Sequence, residues 1–243
     1  ENNVYAVADG TLYSYGKLDD NIRVYSRQTG LSDSDVRLIR YNASTRTLVI
    51  AYANGNIDLM TSDGIYNLPF LKNTTNIQDK TLNAIDLSGD RAYLSANFGI
   101  LVIDLKKREV AETYRLDRRT TATALLGGSI YAATDSGLLA AATTDNLMDV
   151  ANWKRVSLNS LDFDDQKIVG LGAFRDRLCF VASGGGLFYR DTDGSIKTLR
   201  KQTNLRGLTV VGNRLVAYAS EAMYIFASLE GTGETVAPGT VNG

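Results

Sequence analysis

Residues 48–60 read LVIAYANGNIDLM, which is an apolar strand, an Asn-Gly turn and a second apolar strand. A tight turn of this kind needs positive φ, a backbone conformation that glycine adopts without steric cost. The same arrangement begins again at residues 4, 92, 130, 178 and 215, with VYAVADG, AYLSANFG, IYAATDSG, LCFVASGG and LVAYASEA. The six copies are 37 to 48 residues apart. That spacing is typical of propeller blades.

Each copy supplies the two middle strands of a four-stranded antiparallel blade. The expected fold is therefore all-β, a β-propeller of about six four-stranded blades, with an incomplete seven-bladed propeller as the alternative. A short helical turn is predicted only at residues 145–150. Innermost strands are predicted at 36–41, 82–87, 123–126, 168–171 and 208–211, and outer strands at 22–25, 65–68, 110–114, 153–156 and 196–199.

The two ends of the pattern are incomplete. No innermost strand precedes Val4, and no obvious outer strand follows Ala227. We therefore expect a propeller domain over residues 1–230 and a flexible tail, or a linker to a missing domain, over residues 231–243. As an alternative, Glu234-Thr235-Val236 supplies one closing strand, since an unpaired edge is a liability for a propeller.

Composition excludes several classes of function. There is no histidine and one cysteine, so a Ser-His-Asp or Cys-His site, a disulfide within the chain and a Cys/His zinc site are all ruled out. The 26 basic and 27 acidic residues are evenly scattered, which argues against nucleic acid as a partner. No apolar run reaches 18 residues, and Glu1-Asn2-Asn3 does not begin a leader peptide. We expect no cofactor, no metal and no direct membrane insertion, and a monomer.

Four short motifs have a chemical and a structural interpretation. Asp191-Thr192-Asp193-Gly194 and Gly184-Gly185-Gly186 are predicted to be hairpin turns rather than a calcium loop or a phosphate cradle. Asp33-Ser34-Asp35 and residues 162–165 (DFDD) are predicted to be turn and solubilising residues rather than calcium ligands. Cys179 aligns with large apolar residues of the other copies, which predicts a packing role.

A ligand-binding face is the remaining candidate site. Loops at one face of the propeller carry the candidate binding residues Asn54, Phe98, Arg118, Arg119 and Asp135. A small-ligand or carbohydrate sensor would bind there, over the central channel. An enzyme without histidine would need carboxylates or tyrosines as acid and base, and no pair of acidic residues is better explained by catalysis than by turns. We therefore predict no catalytic residue.

Several segments resemble known propeller families. Residues 30–36 (GLSDSDV) followed by residues 48–60 resemble the repeat of two-component-regulator propellers. More specifically, VYAVADGTLYSY, NGNIDLM, GIYNLP, FGILVID and IYAATDSGL, which begin at residues 4, 54, 64, 98 and 130, together resemble the N-terminal propeller of PorZ-type bacterial envelope proteins. This second resemblance implies an exported, non-enzymatic protein at the periplasm or cell surface. It also implies type IX secretion, beside a sortase and anionic lipopolysaccharide.

The expected function is a non-catalytic module of an exported envelope protein that binds a protein or glycan partner in the cell envelope. A periplasmic carbohydrate-sensing domain of a two-component regulator is the first alternative. A histidine-independent hydrolase or lyase is the second.

Overall fold

A computed structural model describes residues 2–158 and 167–237. The chain is an all-β propeller of six blades, each built from consecutive antiparallel strands. It divides into two compact units, the first ending at Asp117 and the second beginning at Arg118. Three blades belong to each unit, and the predicted fold class is confirmed.

The first unit holds blades 1 to 3. Blade 1 consists of β1 (Asn3–Ala8), β2 (Thr11–Gly16) and β3 (Ile22–Tyr25), and a 3-10 turn (Arg27–Thr29) follows it. Blade 2 consists of β4 (Val36–Asn42), β5 (Thr47–Tyr52), β6 (Ile57–Thr61) and β7 (Gly64–Leu68), and the short helix α1 (Phe70–Asn73) follows it. Blade 3 consists of β8 (Leu82–Ser88), β9 (Arg91–Ala96), β10 (Gly99–Asp104) and β11 (Glu109–Arg115).

The second unit holds blades 4 to 6. Blade 4 consists of β12 (Thr120–Leu126), β13 (Ser129–Thr134), β14 (Gly137–Ala142) and β15 (Lys154–Arg155), with a 3-10 turn (Val150–Asn152) before its last strand. Blade 5 consists of β16 (Ile168–Phe174), β17 (Arg177–Ala182), β18 (Gly186–Arg190) and β19 (Ile196–Arg200). Blade 6 consists of β20 (Gly207–Val211), β21 (Arg214–Tyr218), β22 (Met223–Phe226) and β23 (Glu234–Val236).

The predicted inner and outer strands are all present at or near their expected positions. For residues 231–237, the alternative of a closing strand is the one observed, because Glu234–Val236 pairs with β22. The strands of blade 6 thus run to Val236, past residue 230, and residues 238–243 lie outside the described part of the chain. The helical turn expected at residues 145–150 instead covers Val150–Asn152, where the Asp149 carboxylate accepts the Ala151 N–H and caps it. The helix α1 was not predicted.

The second strand of blade 2 is buried on both faces. All six residues of β5 are buried. Ile50 and Tyr52 pack with Leu12 of blade 1, whereas Val49 and Ala51 pack with residues of blade 3. Because side chains alternate between the two faces of a strand, blade 2 contributes one face to blade 1 and the other to blade 3.

Innermost strands of neighbouring blades pack closely in the second unit. A Cβ added to Gly170 of β16 would lie 2.6 Å from the backbone nitrogen of Leu208 in β20. Only glycine allows this approach of two backbones. Within residues 2–158 and 167–237, none of the helices has the length and apolar content that crossing a membrane requires.

Candidate interaction site

An open groove of about 700 Å³ lies in the first unit, between β1 of blade 1 and β4 of blade 2. Its volume is within the range of ligand-binding clefts. Thr61, the last residue of β6, and Ser62, in the turn that follows, also line it. The other lining residues include Asn3 and Tyr5 of β1, Ile39, Arg40 and Tyr41 of β4, and Arg46 of the turn after β4.

The two strands that line the groove are joined near one end. The Val36 N–H, at the start of β4, donates a hydrogen bond of 2.8 Å to the carbonyl of Gly10, in the turn after β1. Gly10 has a φ of 73°, and a Cβ there would lie 2.8 Å from the Asp35 carboxylate. Glycine is therefore needed at the point where the blades meet, and the groove opens toward Asn3 and Tyr41.

Two tyrosines contribute most of the aromatic surface of the groove. The Tyr5 ring lies 6.2 Å from the Tyr25 ring, measured between centroids, which fixes its orientation. Burial, together with the neighbouring Tyr25 and Tyr41 hydroxyls, raises the pKa of Tyr5, so its hydroxyl stays protonated. Tyr41 is 41% exposed. Rigid aromatic side chains with a polar tip are common in binding surfaces.

The groove has a basic character. Arg40 and Arg46 line it, and none of its described lining residues is acidic. Cations that line a cleft of low dielectric attract anionic groups more strongly than they would on an open surface. The arrangement therefore suits a partner that brings a carboxylate or another anion beside aromatic or aliphatic surface.

A buried polar cluster occupies the opposite ends of the blade 2 strands. Asp58 of β6 is fully buried, and its carboxylate accepts hydrogen bonds from the Tyr52 hydroxyl at 2.5 Å, the Ser32 N–H at 2.8 Å and the Asn67 amide at 2.9 Å. Burial and the neighbouring Asp58 carboxylate raise the pKa of Tyr52 well above its usual range. The cluster joins blade 2 to the loop before it.

Asp33 extends this cluster toward the surface. Its carboxylate accepts from the Lys72 ammonium at 2.7 Å and from the Asn54 amide at 2.6 Å. Desolvation alone would raise the pKa of Asp33, but these donors outweigh it and hold the pKa below the usual range of an aspartate. The predicted role of Asp33 as a solubilising residue is therefore incomplete, because it anchors α1 and the turn after β5.

The structure brings only some of the five sequence-predicted face residues into contact. In the first unit, Asn54 is held by Asp33, and Phe98 is half-buried against the core between blades 2 and 3. In the second unit, the Asp135 N–H donates to the Arg119 carbonyl at 3.1 Å, and Arg118 is half-buried beside them. A common ligand for these five residues stays a prediction.

The other short motifs that lie within residues 2–158 and 167–237 have structural roles. In the turn at Asp191, the Gly194 N–H donates to the Asp191 carbonyl, while the Asp191 carboxylate accepts from Arg177. Burial raises the pKa of the Cys179 thiol to about 12, in keeping with a packing residue. Residues 162–165 lie outside the described residues. In the described ranges, no cluster of three or more His, Cys, Asp or Glu side chains could hold a metal ion.

Neither the groove nor the burial of Asp58 was predicted from the sequence. A lone carboxylate inside the otherwise apolar strand IDLM was an available signal for Asp58, since a buried aspartate requires partners. The groove had no such signal, because its walls come from two strands, β1 and β4, that are about 35 residues apart in sequence.

Comparisons with known proteins agree on one family. A family model described as the N-terminal β-propeller domain of PorZ (TSS9) matches residues 4–154. The structure of PorZ from Porphyromonas gingivalis, described as an essential bacterial surface component of the type IX secretion system, is 32% identical with a TM-score of 0.85. The match covers 96% of this chain and 31% of the PorZ chain, so this chain spans about a third of the length of that relative.

Two more distant structures share the fold alone. The extracellular domain of a putative one-component system from B. thetaiotaomicron is 12% identical with a TM-score of 0.63, over 92% of this chain and 31% of its own. Raptor from Chaetomium thermophilum is 11% identical with a TM-score of 0.69, over 98% of this chain and 24% of its own. No curated protein matches the sequence.

Proposed function

This chain belongs to the PorZ N-terminal β-propeller family, and on that premise we propose that it is a non-catalytic interaction module of an exported envelope protein that acts in type IX secretion. The partner we propose is a protein of the cell envelope. The module acts at the periplasm or the cell surface, and the description of the P. gingivalis relative as a surface component supports this location.

The groove between β1 and β4 carries this proposal. It combines about 700 Å³ of open volume with exposed tyrosine surface and two arginines. Tyrosine and arginine are the side chains that most often dominate the binding energy of protein interfaces. At the opposite ends of the blade 2 strands, by contrast, the carboxylates of Asp58 and Asp33 already accept hydrogen bonds from side chains of the protein itself.

The chemistry of these carboxylates favours a binding role over a hydrolase or lyase. A general acid or base needs a pKa near the working pH and access to substrate. Asp33 instead has a lowered pKa and is paired with Lys72, and Asp58 is fully buried. Both groups serve to hold loops in place.

A pull-down from envelope extracts tests the proposal. The bait is this chain, and the comparison baits are the groove variant Tyr41→Ala/Arg46→Glu and an unrelated propeller. We expect a protein that is retained by the chain, reduced several-fold with the groove variant and absent from the unrelated propeller. Equal recovery on all three baits would contradict the proposal.

Glycan binding is the second candidate function, and one observation favours it. Tyr5 and Tyr41 offer aromatic surface beside the arginines, an arrangement that also suits stacking against a sugar ring. The face residues Asn54, Phe98, Arg118, Arg119 and Asp135 are a second possible surface for a glycan, as in a periplasmic carbohydrate sensor. A glycan array with the chain and its groove variant separates the two surfaces, because only groove binding is lost in the variant.

A further inference from the structure

The connection between the third and fourth strands of blade 4 is longer than the corresponding connections in the other blades. It spans residues 143–153, between β14 and β15, whereas those of blades 2, 3 and 5 span residues 62–63, 105–108 and 191–195. Hairpin connections normally have about two to five residues, so joining β14 to β15 does not require the additional length. Residues 143–153 are termed the blade 4 loop.

Hydrogen bonds within the blade 4 loop give it a defined shape. The indole N–H of Trp153 donates a hydrogen bond of 3.0 Å to the carbonyl of Leu147, and both side chains are buried. The Asn152 side-chain amide donates to the Asn146 carbonyl at 2.9 Å, and the Asn152 N–H donates to the Asp149 carbonyl at 3.1 Å. A loop that is already ordered loses less conformational entropy when it binds a partner.

Two apolar side chains of the blade 4 loop are exposed. Met148 is 65% exposed and Val150 is 47% exposed, whereas Leu147 and Trp153 of the same loop are buried. The buried pair anchors the loop, so its fold does not require the exposed pair to be apolar. Single exposed apolar residues are ordinary, but here two of them lie two residues apart on one ordered loop. Methionine adapts to irregular apolar surfaces and is enriched in protein interfaces.

Two aspartates give the blade 4 loop a negative charge. Asp145 and Asp149 are exposed, and neither forms a salt bridge with another of the residues that the structure describes. Complementary interfaces place opposite charges across from each other, so a matching partner has basic residues around an apolar pocket. Anionic lipid head groups would be repelled by the same aspartates. Charge therefore favours a protein over a membrane.

We propose that the blade 4 loop is a second interaction surface, which inserts Met148 and Val150 into an apolar pocket of a partner protein. Asp145 and Asp149 then face basic residues at the rim of that pocket. The proposal goes beyond the proposed function, because it assigns a second partner to a surface other than the groove. The loop belongs to the second unit, whereas the groove belongs to the first.

Cysteine labelling of the full-length gene product tests whether the loop is accessible. The Met148→Cys variant is treated with a maleimide, and the reaction at position 148 is followed by mass spectrometry. The native Cys179 is buried and serves as an internal reference for a protected thiol. We expect position 148 to react in the folded protein at a rate close to that in urea. Protection as strong as that of Cys179 would mean that another segment of the same protein covers the loop, and it would overturn the proposal.

The partner is captured with a benzophenone maleimide attached at the same cysteine, in envelope extracts, and is then identified, purified and titrated by calorimetry. Met148→Asp should weaken its binding about tenfold or more, because the substitution places a charge in the apolar pocket. The matched control is Leu18→Asp, since Leu18 is exposed in the corresponding connection of blade 1, and its affinity should stay within about twofold of wild type. Equal affinities of the two variants, or no captured protein, would overturn the proposal.

Charge reversal tests the rim of the pocket. Asp145→Lys should weaken binding of the purified partner about fivefold, and raised salt should weaken binding of the wild type, because rim charges act through solvent. Asp149 is left unchanged, since its carboxylate accepts the Ala151 N–H within the loop. The control Glu221→Lys, at an exposed position of the same unit, should stay within about twofold. Unchanged or tighter binding by Asp145→Lys would overturn the proposal.

Two further measurements separate this surface from a membrane and from the groove. The full-length protein should not sediment with vesicles of phosphatidylethanolamine and phosphatidylglycerol, and sedimentation that Met148→Asp abolishes would assign the loop to a membrane and overturn the proposal. The groove variant Tyr41→Ala/Arg46→Glu should bind the purified partner as tightly as wild type does. Loss of binding in that variant would place the partner in the groove, and it would reject the second surface while the proposed function stands.

Discussion

The hydroxyl of Tyr52 donates a hydrogen bond of 2.5 Å to the carboxylate of Asp58, and both side chains are buried inside blade 2. The same carboxylate receives the Ser32 N–H from the loop that connects blades 1 and 2. One buried carboxyl group thus connects two strands and the preceding loop. This cluster lies at the end of the blade 2 strands opposite the groove.

Tyr52→Phe should destabilise the protein by about 1–3 kcal/mol, because Asp58 loses a donor and remains buried. Urea denaturation measures the change in the free energy of unfolding. Tyr41→Phe is the matched control, since its side chain is 41% exposed, and its effect should stay within about 0.5 kcal/mol. Equal effects of the two substitutions would show that the cluster does not stabilise blade 2.

The pair of Asp33 and Lys72 should make stability depend on pH. The pKa of Asp33 is lowered in the folded protein, so below about pH 4 the unfolded chain binds this proton more readily and stability falls. The difference in unfolding free energy between wild type and Asp33→Asn should therefore shrink as the pH is lowered from neutrality through this range. Urea denaturation across this pH range measures the difference in unfolding free energy. The difference between wild type and Lys72→Met should shrink in the same way as the pH falls. A difference that stays constant with pH would contradict this assignment.

Gly170→Ala should disturb the packing of blades 5 and 6. A Cβ at Gly170 would lie 2.6 Å from the Leu208 nitrogen, so β16 and β20 must move apart, at a cost of about 2 kcal/mol or more. Gly127→Ala is the control, because Gly127 has open space around it and a φ of 58°. The left-handed conformation alone should cost the control about 1 kcal/mol. Thermal unfolding that shows the control to be the more damaging variant would refute the close approach.

Arg108 should couple blade 3 to blade 2. Its guanidinium lies 3.7 Å from the centre of the Tyr66 ring and donates to the Asp63 carboxylate at 3.0 Å. A double-mutant cycle with Arg108→Ala and Tyr66→Ala should give a coupling energy of about 0.5–1 kcal/mol. The exposed pair of Lys107 and Glu109, 3.8 Å apart, should give a value near zero. Similar couplings for both pairs would argue against a role for the stacking.

Most strands could be predicted from sequence because each blade repeats a local pattern. The Asn-Gly turn at residues 54–55 and the apolar residues on either side of it are neighbours in sequence, so their hairpin is recognisable without tertiary structure. The outer strand Glu234–Val236 was only an alternative, because three residues with a single apolar side chain form a strand only when β22 offers a partner. The helix α1 is four residues long and too short for periodicity to reveal it.

The groove could not be predicted for a different reason. Tyr5 and Tyr41 are each consistent with ordinary strand positions. Their shared cavity depends on the space beside β1, which is a property of how two blades diverge from the bond between Gly10 and Val36. The local sequence pattern specifies the strands, whereas the groove depends on how two blades are placed beside each other.

Site-specific photocrosslinking in envelope extracts tests the central claim that the groove is the binding surface. A benzophenone amino acid replaces Tyr41 in the groove and, in a separate control, Met148, which is 65% exposed and outside the groove. We predict a crosslinked envelope protein from position 41 and none of it from position 148. The same product from both positions, or from position 148 alone, would contradict the account.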